Sequence, residues 1–132
     1  MGQQQLLLII LGVIIIGIAV GVAVVMFNDN SVSSNKEAMS TDLLHIAAKA
    51  RHYYGRPSSM GGGSHSFAGL TMDKMVNASF ANNANGYYEI ISVAPDAVVI
   101  QGTGKVTKPN GDSVKVQLTV TPSGPGNIIT LP

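Results

Sequence analysis

The stretch that decides the fold is Leu6–Phe27, which has the sequence LLLIILGVIIIGIAVGVAVVMF. Every residue in it is apolar or glycine, and no charged side chain precedes Asp29. A helix rises about 1.5 Å per residue, so this stretch would be about 33 Å long, enough to cross the hydrocarbon core of a bilayer. A signal peptide would have a basic beginning and a shorter apolar run. We therefore predict an apolar membrane-spanning helix within residues 1–27.

Three glycines interrupt this apolar run at Gly12, Gly17 and Gly21. Gly17 and Gly21 have the GxxxG spacing that lets two helices approach closely in lipid. A lone span with incidental glycines fits the same pattern equally well. The sequence therefore leaves open whether the glycines mark a packing face.

The rest of the chain is small and nearly neutral. The protein has 132 residues, with eight basic and seven acidic side chains and a formal net charge of +1. This balance argues against electrostatic binding of nucleic acid. Cysteine is absent, which excludes disulfides, thiol chemistry and cysteine-based zinc sites. A domain this small needs stability from elsewhere, and packing against copies of itself is one candidate.

Residues 28–57 are predicted to form a polar break followed by an amphipathic helix. The segment Asn28–Asn35 (NDNSVSSN) is rich in turn formers, and Ser34 and Glu37 have capping-box spacing, so the helix is expected to restart there. Apolar residues then recur at steps of three and four over Lys36–Tyr54, which predicts one buried helical face. The predicted members of that face are Met39, Leu43, Ile46, Ala47, Ala50 and Tyr54.

Residues 58–86 are predicted to be a Gly/Asn-rich loop region. Ser58–Ser66 is expected to be flexible, and Phe67–Met75 is expected to hold a short helix or turn with Met72 and Met75 facing inward.

Residues 87–132 change to a period of two, which predicts an antiparallel sheet. The strands are expected at Tyr87–Val93, Ala97–Thr103, Ser113–Thr121 and Asn127–Leu131. The amphipathic helix is the long element available to cover this sheet. The predicted fold class is α+β, with a long N-terminal helix packed on a four-stranded antiparallel meander.

No set of side chains predicts catalysis, a cofactor or a metal. The stretch Gly102–Lys105 lacks the remaining residues of a phosphate loop, and Gly62–Ser66 lacks the final glycine of a nucleophile elbow. The histidines at 45, 52 and 65 have no carboxylate at tight spacing to complete a metal site. We therefore predict a protein that is not an enzyme. Asn77-Ala78-Ser79 is an N-glycosylation acceptor pattern, which makes Asn77 a candidate modification site.

The order of these elements resembles that of type IV pilins and pseudopilins. Gln5–Ile10 (QLLLII) is similar to the N-terminal pattern of that family, and Lys36–Tyr54 is similar to the exposed half of its spine helix. The resemblance covers the whole chain in architecture and is sequence-specific mainly in the first half. It implies a pilin-like fold and a structural role in a helical homo-oligomer, an extracellular type IV pilus-like filament at the cell surface. It also implies an inner-membrane anchor before assembly and partners in the pilus assembly machinery.

The resemblance assigns subunit packing in the filament core to Gln5, Leu6, Leu7, Ile10, Gly12, Ile14, Gly17 and Gly21. Two features depart from the family. Gln5 stands where the family has an acidic residue that pairs with a neighbour's amino terminus, and the proline common in the middle of the family's helix is absent. We hypothesise that Gln3, Gln4 and Gln5 hydrogen-bond across subunits instead. Counting from Met1 gives this register, so we expect Met1 to begin the mature chain.

Two alternatives to a major filament subunit remain. A minor pilin or a secretion pseudopilin would have the same fold. A single-pass, membrane-anchored binding domain that never polymerises would also contain these elements.

Overall fold

A single helix dominates the computed structural model, which describes residues 2–132. This helix, α1 (Gly2–Gly55), has 54 residues and is therefore about 81 Å long. It includes both the apolar stretch and the amphipathic segment. The expectation that Met1 begins the mature chain lies outside the described residues.

The predicted break at Asn28–Asn35 is wrong, because α1 is continuous through it. Hydroxyl side chains in this part of the helix bond to its own backbone: Ser31 Oγ donates to the Phe27 carbonyl at 3.0 Å, and Ser40 Oγ donates to the Lys36 carbonyl at 2.8 Å. Such bonds satisfy a polar side chain without ending the helix. Since no new helix begins here, Ser34 and Glu37 do not form the predicted start.

The sheet is a four-stranded antiparallel meander in the order β1-β2-β3-β4. Its strands are β1 (Gly86–Ala94), β2 (Ala97–Thr107), β3 (Ser113–Thr121) and β4 (Gly124–Thr130). β4 begins three residues before its predicted start at Asn127, since Thr121 pairs with Gly124 and the turn needs only Pro122 and Ser123. The predicted α+β fold class, a long helix on this sheet, is confirmed.

The core lies between the second half of α1 and one face of the sheet. Alternate residues of β3, from Val114 to Val120, are buried, as are Val98 and Ile100 of β2. They meet five of the six residues predicted for the buried helical face: Met39, Leu43, Ile46, Ala47 and Ala50. Tyr54, the sixth, is only half-buried, and its neighbour Tyr53 is buried instead. Tyr53 lies under the following loop and donates its hydroxyl proton to the Ala68 carbonyl at 3.1 Å.

The segment predicted to be a flexible loop is bonded to the end of α1. The amides of Gly63 and His65 donate to the carbonyls of Tyr53 and Tyr54, both at 2.8 Å. These bonds satisfy carbonyls that the helix end would otherwise leave unpaired. A 3-10 turn (Ser58–Met60) precedes this contact.

Two short helices follow and close one end of the core. They are α2 (Met72–Met75) and α3 (Ala78–Ala81). Met75 is buried and Met72 is half-buried, in agreement with their predicted inward orientation. The sequence did not predict α3.

Candidate interaction surface

The apolar half of α1 stands outside the core and covers nothing in its own chain. From Leu6 to Phe27 the exposed fractions of the large apolar side chains range from 53% to 75%. This part of the helix is long and apolar enough to cross a membrane. Keeping such a surface in water costs about 25 cal/mol for each Å² of apolar area. The surface therefore requires lipid or other helices around it.

Because α1 is continuous, the side of its apolar half that is in line with the sheet can be identified. Eighteen residues make about five helical turns, so residues 18 apart lie on the same side. Gly17 is therefore aligned with Asn35, and Gly21 with Met39, both of which are buried against the sheet. The same arithmetic places four more predicted packing residues on this side: Leu6, Leu7, Ile10 and Ile14.

The remaining two predicted packing residues lie on the opposite side of α1. Thirty-six residues make about ten turns, which aligns Gln5 with Thr41 and Gly12 with Ala48. Thr41 and Ala48 are both exposed on the side away from the sheet. The predicted packing residues are thus all on one exposed rod, but they form two separate faces rather than one.

The glycines of the apolar half are not required by the fold of the single chain. A Cβ atom built at Gly12, Gly17 or Gly21 would have no other atom within 4 Å, apart from the helix's own nearby backbone. Each glycine weakens a helix by about 0.5–1 kcal/mol relative to alanine. Intramolecular packing therefore gives no reason for them, whereas close approach of a second helix would.

A polar cluster joins the amphipathic half of α1 to the sheet. Asp42 Oδ2 accepts hydrogen bonds from the Tyr88 hydroxyl at 2.6 Å, from Asn85 Nδ2 at 2.9 Å and from Asn83 Nδ2 at 3.1 Å. These donors come from β1 and from the turn that leads into it. One carboxylate therefore fixes α1, the turn and the edge of the sheet relative to one another.

The electrostatics of this cluster favour a charged Asp42 and a neutral Tyr88. Burial pushes the pKa of Asp42 upward, but the hydrogen bonds from Asn85, Tyr88 and Asn83, helped by electrostatic attraction to His45, outweigh it. The net result is that the pKa of Asp42 lies below its ordinary value. Burial, together with the bond to Asp42, raises the pKa of Tyr88. The pair thus acts as a carboxylate accepting from a phenol.

Asn35 and Gly104 set how closely α1 approaches β2. Asn35 Nδ2 donates to the Asn85 carbonyl at 2.8 Å. A Cβ atom at Gly104 would collide with Asn35 Oδ1 and would lie 3.2 Å from Met39 Sδ. Asn35 Oδ1 has no hydrogen-bond partner within residues 2–132. The closeness of the two elements therefore depends on glycine at this strand position.

Sequence reasoning missed this cluster. Asn83 and Asn85 lie in the predicted Gly/Asn-rich loop region, and no pattern in the sequence gives Asp42 a role. The signal was present in Gly102, because a glycine inside a predicted strand indicates close approach by another element. Gly104 lies beyond the predicted strand end at Thr103 and joins β2 only in the structure. Of the four tyrosines, Tyr53 and Tyr88 are buried, Tyr54 is half-buried and Tyr87 is exposed.

The other candidate residues have local structural contacts. Asn77 is exposed, and its Oδ1 accepts from the Phe80 amide at 2.8 Å, so its side chain caps α3. Glycosylation of Asn77 stays a prediction. Each histidine has a contact of its own: the His45 ring lies near Phe80, the His52 ring is bonded to Arg56, and the His65 ring lies near Tyr54. Within residues 2–132 no three His, Cys, Asp or Glu side chains are grouped to hold a metal ion.

The fold and this surface together define a class of protein: an α+β head carried on an unbroken apolar helix that is long enough to cross a membrane. Comparison of the chain with protein-family models, curated proteins and solved structures found no match. The resemblance to type IV pilins therefore stays a prediction that rests on Gln5–Ile10, on the amphipathic helix and on the order of elements.

Proposed function

We propose that this chain is a structural subunit of an extracellular type IV pilus-like filament, which polymerises through the apolar half of α1. The observation that carries the proposal is the exposure of that entire half outside a head that is already packed. A surface of this kind has two uses in one molecule. It anchors the subunit in the inner membrane first and forms the filament core afterwards.

The energetics of assembly differ from those of folding in water. The apolar half leaves lipid and enters a bundle of similar helices, so little apolar area is newly removed from water. The gain must come from packing between helices. The open surfaces at Gly12, Gly17 and Gly21 support this step, because they offer room for a neighbouring backbone. A head-to-tail contact that does not close on itself gives an open helical polymer.

The division of the packing residues supports a two-sided contact. In the proposed filament the side with Gln5 and Gly12, opposite the sheet, faces the filament axis. The side with Gly17 and Gly21 faces a neighbouring helix beneath the sheet. The head then lies outside, where it meets receptors, surfaces or water. The assembly machinery is a partner that the resemblance implies.

Substitutions in the apolar half test polymerisation separately from anchoring. Gly17→Leu keeps the helix apolar and membrane-compatible but fills the open surface, so we expect far fewer sheared filaments with unchanged membrane fractionation. Ile14→Lys places a charge in the apolar half and should abolish filaments, but it also disfavours membrane insertion, so Gly17→Leu is the variant that separates the two steps. Asn110→Lys in the exposed β2–β3 loop is the matched control and should assemble normally. Electron microscopy of sheared surface material, with immunoblots of membranes, gives the measurement.

Two related functions would give different results. A minor pilin or pseudopilin would be a trace component of sheared filaments, whereas a major subunit would dominate them. An anchored domain that never polymerises is favoured by the completeness of the head, whose buried apolar residues all lie between Met39 and Val120. Monomeric protein in detergent, together with cells that carry no filaments containing this chain, would support the anchored domain and reject the filament.

A further inference from the structure

A second surface feature is a basic groove in the head, between α1, α2 and the 3-10 turn. Its volume is about 450 Å³, and five basic side chains line it: His45, Lys49, His52, Arg56 and Lys74. No acidic side chain lines it. Three of the eight Lys and Arg residues and two of the three histidines are thus gathered in one concavity of a nearly neutral protein.

The hydrogen bonds of Arg56 and Lys74 in this groove are made to partners that carry no negative charge. The Arg56 guanidinium donates to Nδ1 of the His52 ring at 2.9 Å. Lys74 Nζ donates to the Gly69 carbonyl at 3.0 Å and lies 5.4 Å from the centroid of the Tyr53 ring. These contacts position the cations but supply no negative charge. Like charges gathered in this way repel one another until an anion binds between them.

We propose that this groove binds a phosphate-bearing anion of small-molecule size. Guanidinium and ammonium donors suit phosphate oxygens, and bonds between ionised partners are about twice as strong as neutral ones. The volume is large enough for a phosphoryl or pyrophosphoryl group with a small substituent. An adjoining open groove shares His52 and Arg56 and adds Arg51, which extends the positive surface.

The length of α1 indicates which source of phosphate the groove takes. His45 lies 18 residues beyond Phe27 in the same helix, which is about 27 Å. The headgroup layer of a bilayer extends only about 5–8 Å beyond the hydrocarbon core. Headgroups of the membrane that holds the apolar half are therefore out of reach, and we assign the groove to an anion free in solution. Binding needs only the folded head, so it does not depend on polymerisation.

Titration of the full chain in uncharged detergent with inorganic pyrophosphate tests the proposal. We expect saturable binding by isothermal titration calorimetry, and binding at least about tenfold weaker for the double variant Lys49→Gln, Arg56→Gln. The matched control is Lys105→Gln, Lys115→Gln, which removes the same charge from exposed positions on the sheet and should stay within about twofold of the parent chain. Near-UV circular dichroism verifies that each variant retains the head fold.

Three results would overturn the inference. The first is absence of pyrophosphate binding by the parent chain. The second is an equal loss of affinity in the sheet control, which would show a general effect of net charge. The third concerns the source of the phosphate: addition of phosphatidylglycerol to the detergent should leave pyrophosphate affinity unchanged, and competition by the lipid would contradict assignment to a soluble anion.

Discussion

At the scale of single residues, Asp42 connects more of the head than any other polar side chain described above. It lies on α1, yet all three of its hydrogen-bond donors belong to the turn and strand around residues 83–88. The hydrophobic core brings α1 and the sheet together but does not by itself fix their relative position along the helix axis. Three directed bonds to one carboxylate oxygen do fix it.

Asp42→Asn should therefore lower the free energy of unfolding of the head by about 2–3 kcal/mol, since hydrogen bonds to charged groups contribute about 1.5–3 kcal/mol. Denaturant unfolding in uncharged detergent, followed by the near-UV signal of the tyrosines, measures the change. Tyr88→Phe removes one of the three bonds and should cost less. Asp96→Asn at the exposed β1–β2 turn is the control, and a loss there as large as that of Asp42→Asn would contradict the role of the cluster.

The same carboxylate gives the head a specific pH dependence. The folded-state pKa of Asp42 lies below its ordinary value of 3.8. Its stabilising contribution is then complete well above pH 3.8 and is lost as the pH falls through the lower folded-state pKa. We expect the difference in unfolding free energy between the parent chain and Asp42→Asn to be constant near neutral pH and to shrink below pH 3.8. A difference that grows on acidification would reverse the expected sign.

Residue roles were the part of this protein least accessible from sequence. The spacing of Met39, Leu43 and Ile46 predicted their burial correctly because helical periodicity is a local property. The Asp42 cluster joins positions more than 40 residues apart, and no local pattern reports such a contact. The glycosylation triplet at Asn77 is visible in the sequence, whereas the role of Asn77 as a cap depends on α3, a helix that the sequence did not predict.

At the scale of elements, α1 shows why local composition predicts a helix boundary that the structure does not have. Asn28–Asn35 has the residues of a turn, yet the helix continues. The Ser31 hydroxyl is satisfied by the Phe27 carbonyl four residues earlier, and Asn35 is buried against β2. Tertiary contacts here outweigh intrinsic preference. The strands were easier to predict, since their alternation and their short turns are both local signals.

Continuity of α1 predicts a defined distance across Asn28–Asn35, the segment where the sequence predicts a break. In Ala23→Cys, Glu37→Cys, which are 14 residues apart, the Cα atoms should be separated by about 21 Å. The chain has no cysteine of its own, so spin labels attach only at the two introduced sites. Double electron–electron resonance in detergent should give one narrow distribution. A broad or bimodal distribution would indicate a bend between the two halves.

At the scale of the whole molecule, the head and the apolar half are separate in packing although they share one helix. Every buried apolar residue of the core lies between Met39 and Val120, and the apolar half contributes none. The two parts are therefore stabilised in different ways. The head is stabilised by burial of its apolar side chains from water, and the apolar half needs lipid or neighbouring helices around it.

A chain that begins at Asn28 should consequently fold without detergent. We expect a monomer by light scattering, with the near-UV spectrum of the full chain in detergent, because removal of the apolar half takes away no core contact. Aggregation of this shorter chain, or loss of its tyrosine signals, would show that the head depends on the apolar half.

The unbroken helix also determines how this molecule responds to tension. If the apolar half is held in place, a pull on the sheet passes into it along one hydrogen-bonded helix, because no flexible segment lies between the two halves of α1. We expect the weakest joint under load to be the lateral attachment of the sheet to the rod, where Asp42 and the apolar core hold the two together. Stretching would then separate the sheet from α1 before the helix itself lengthens.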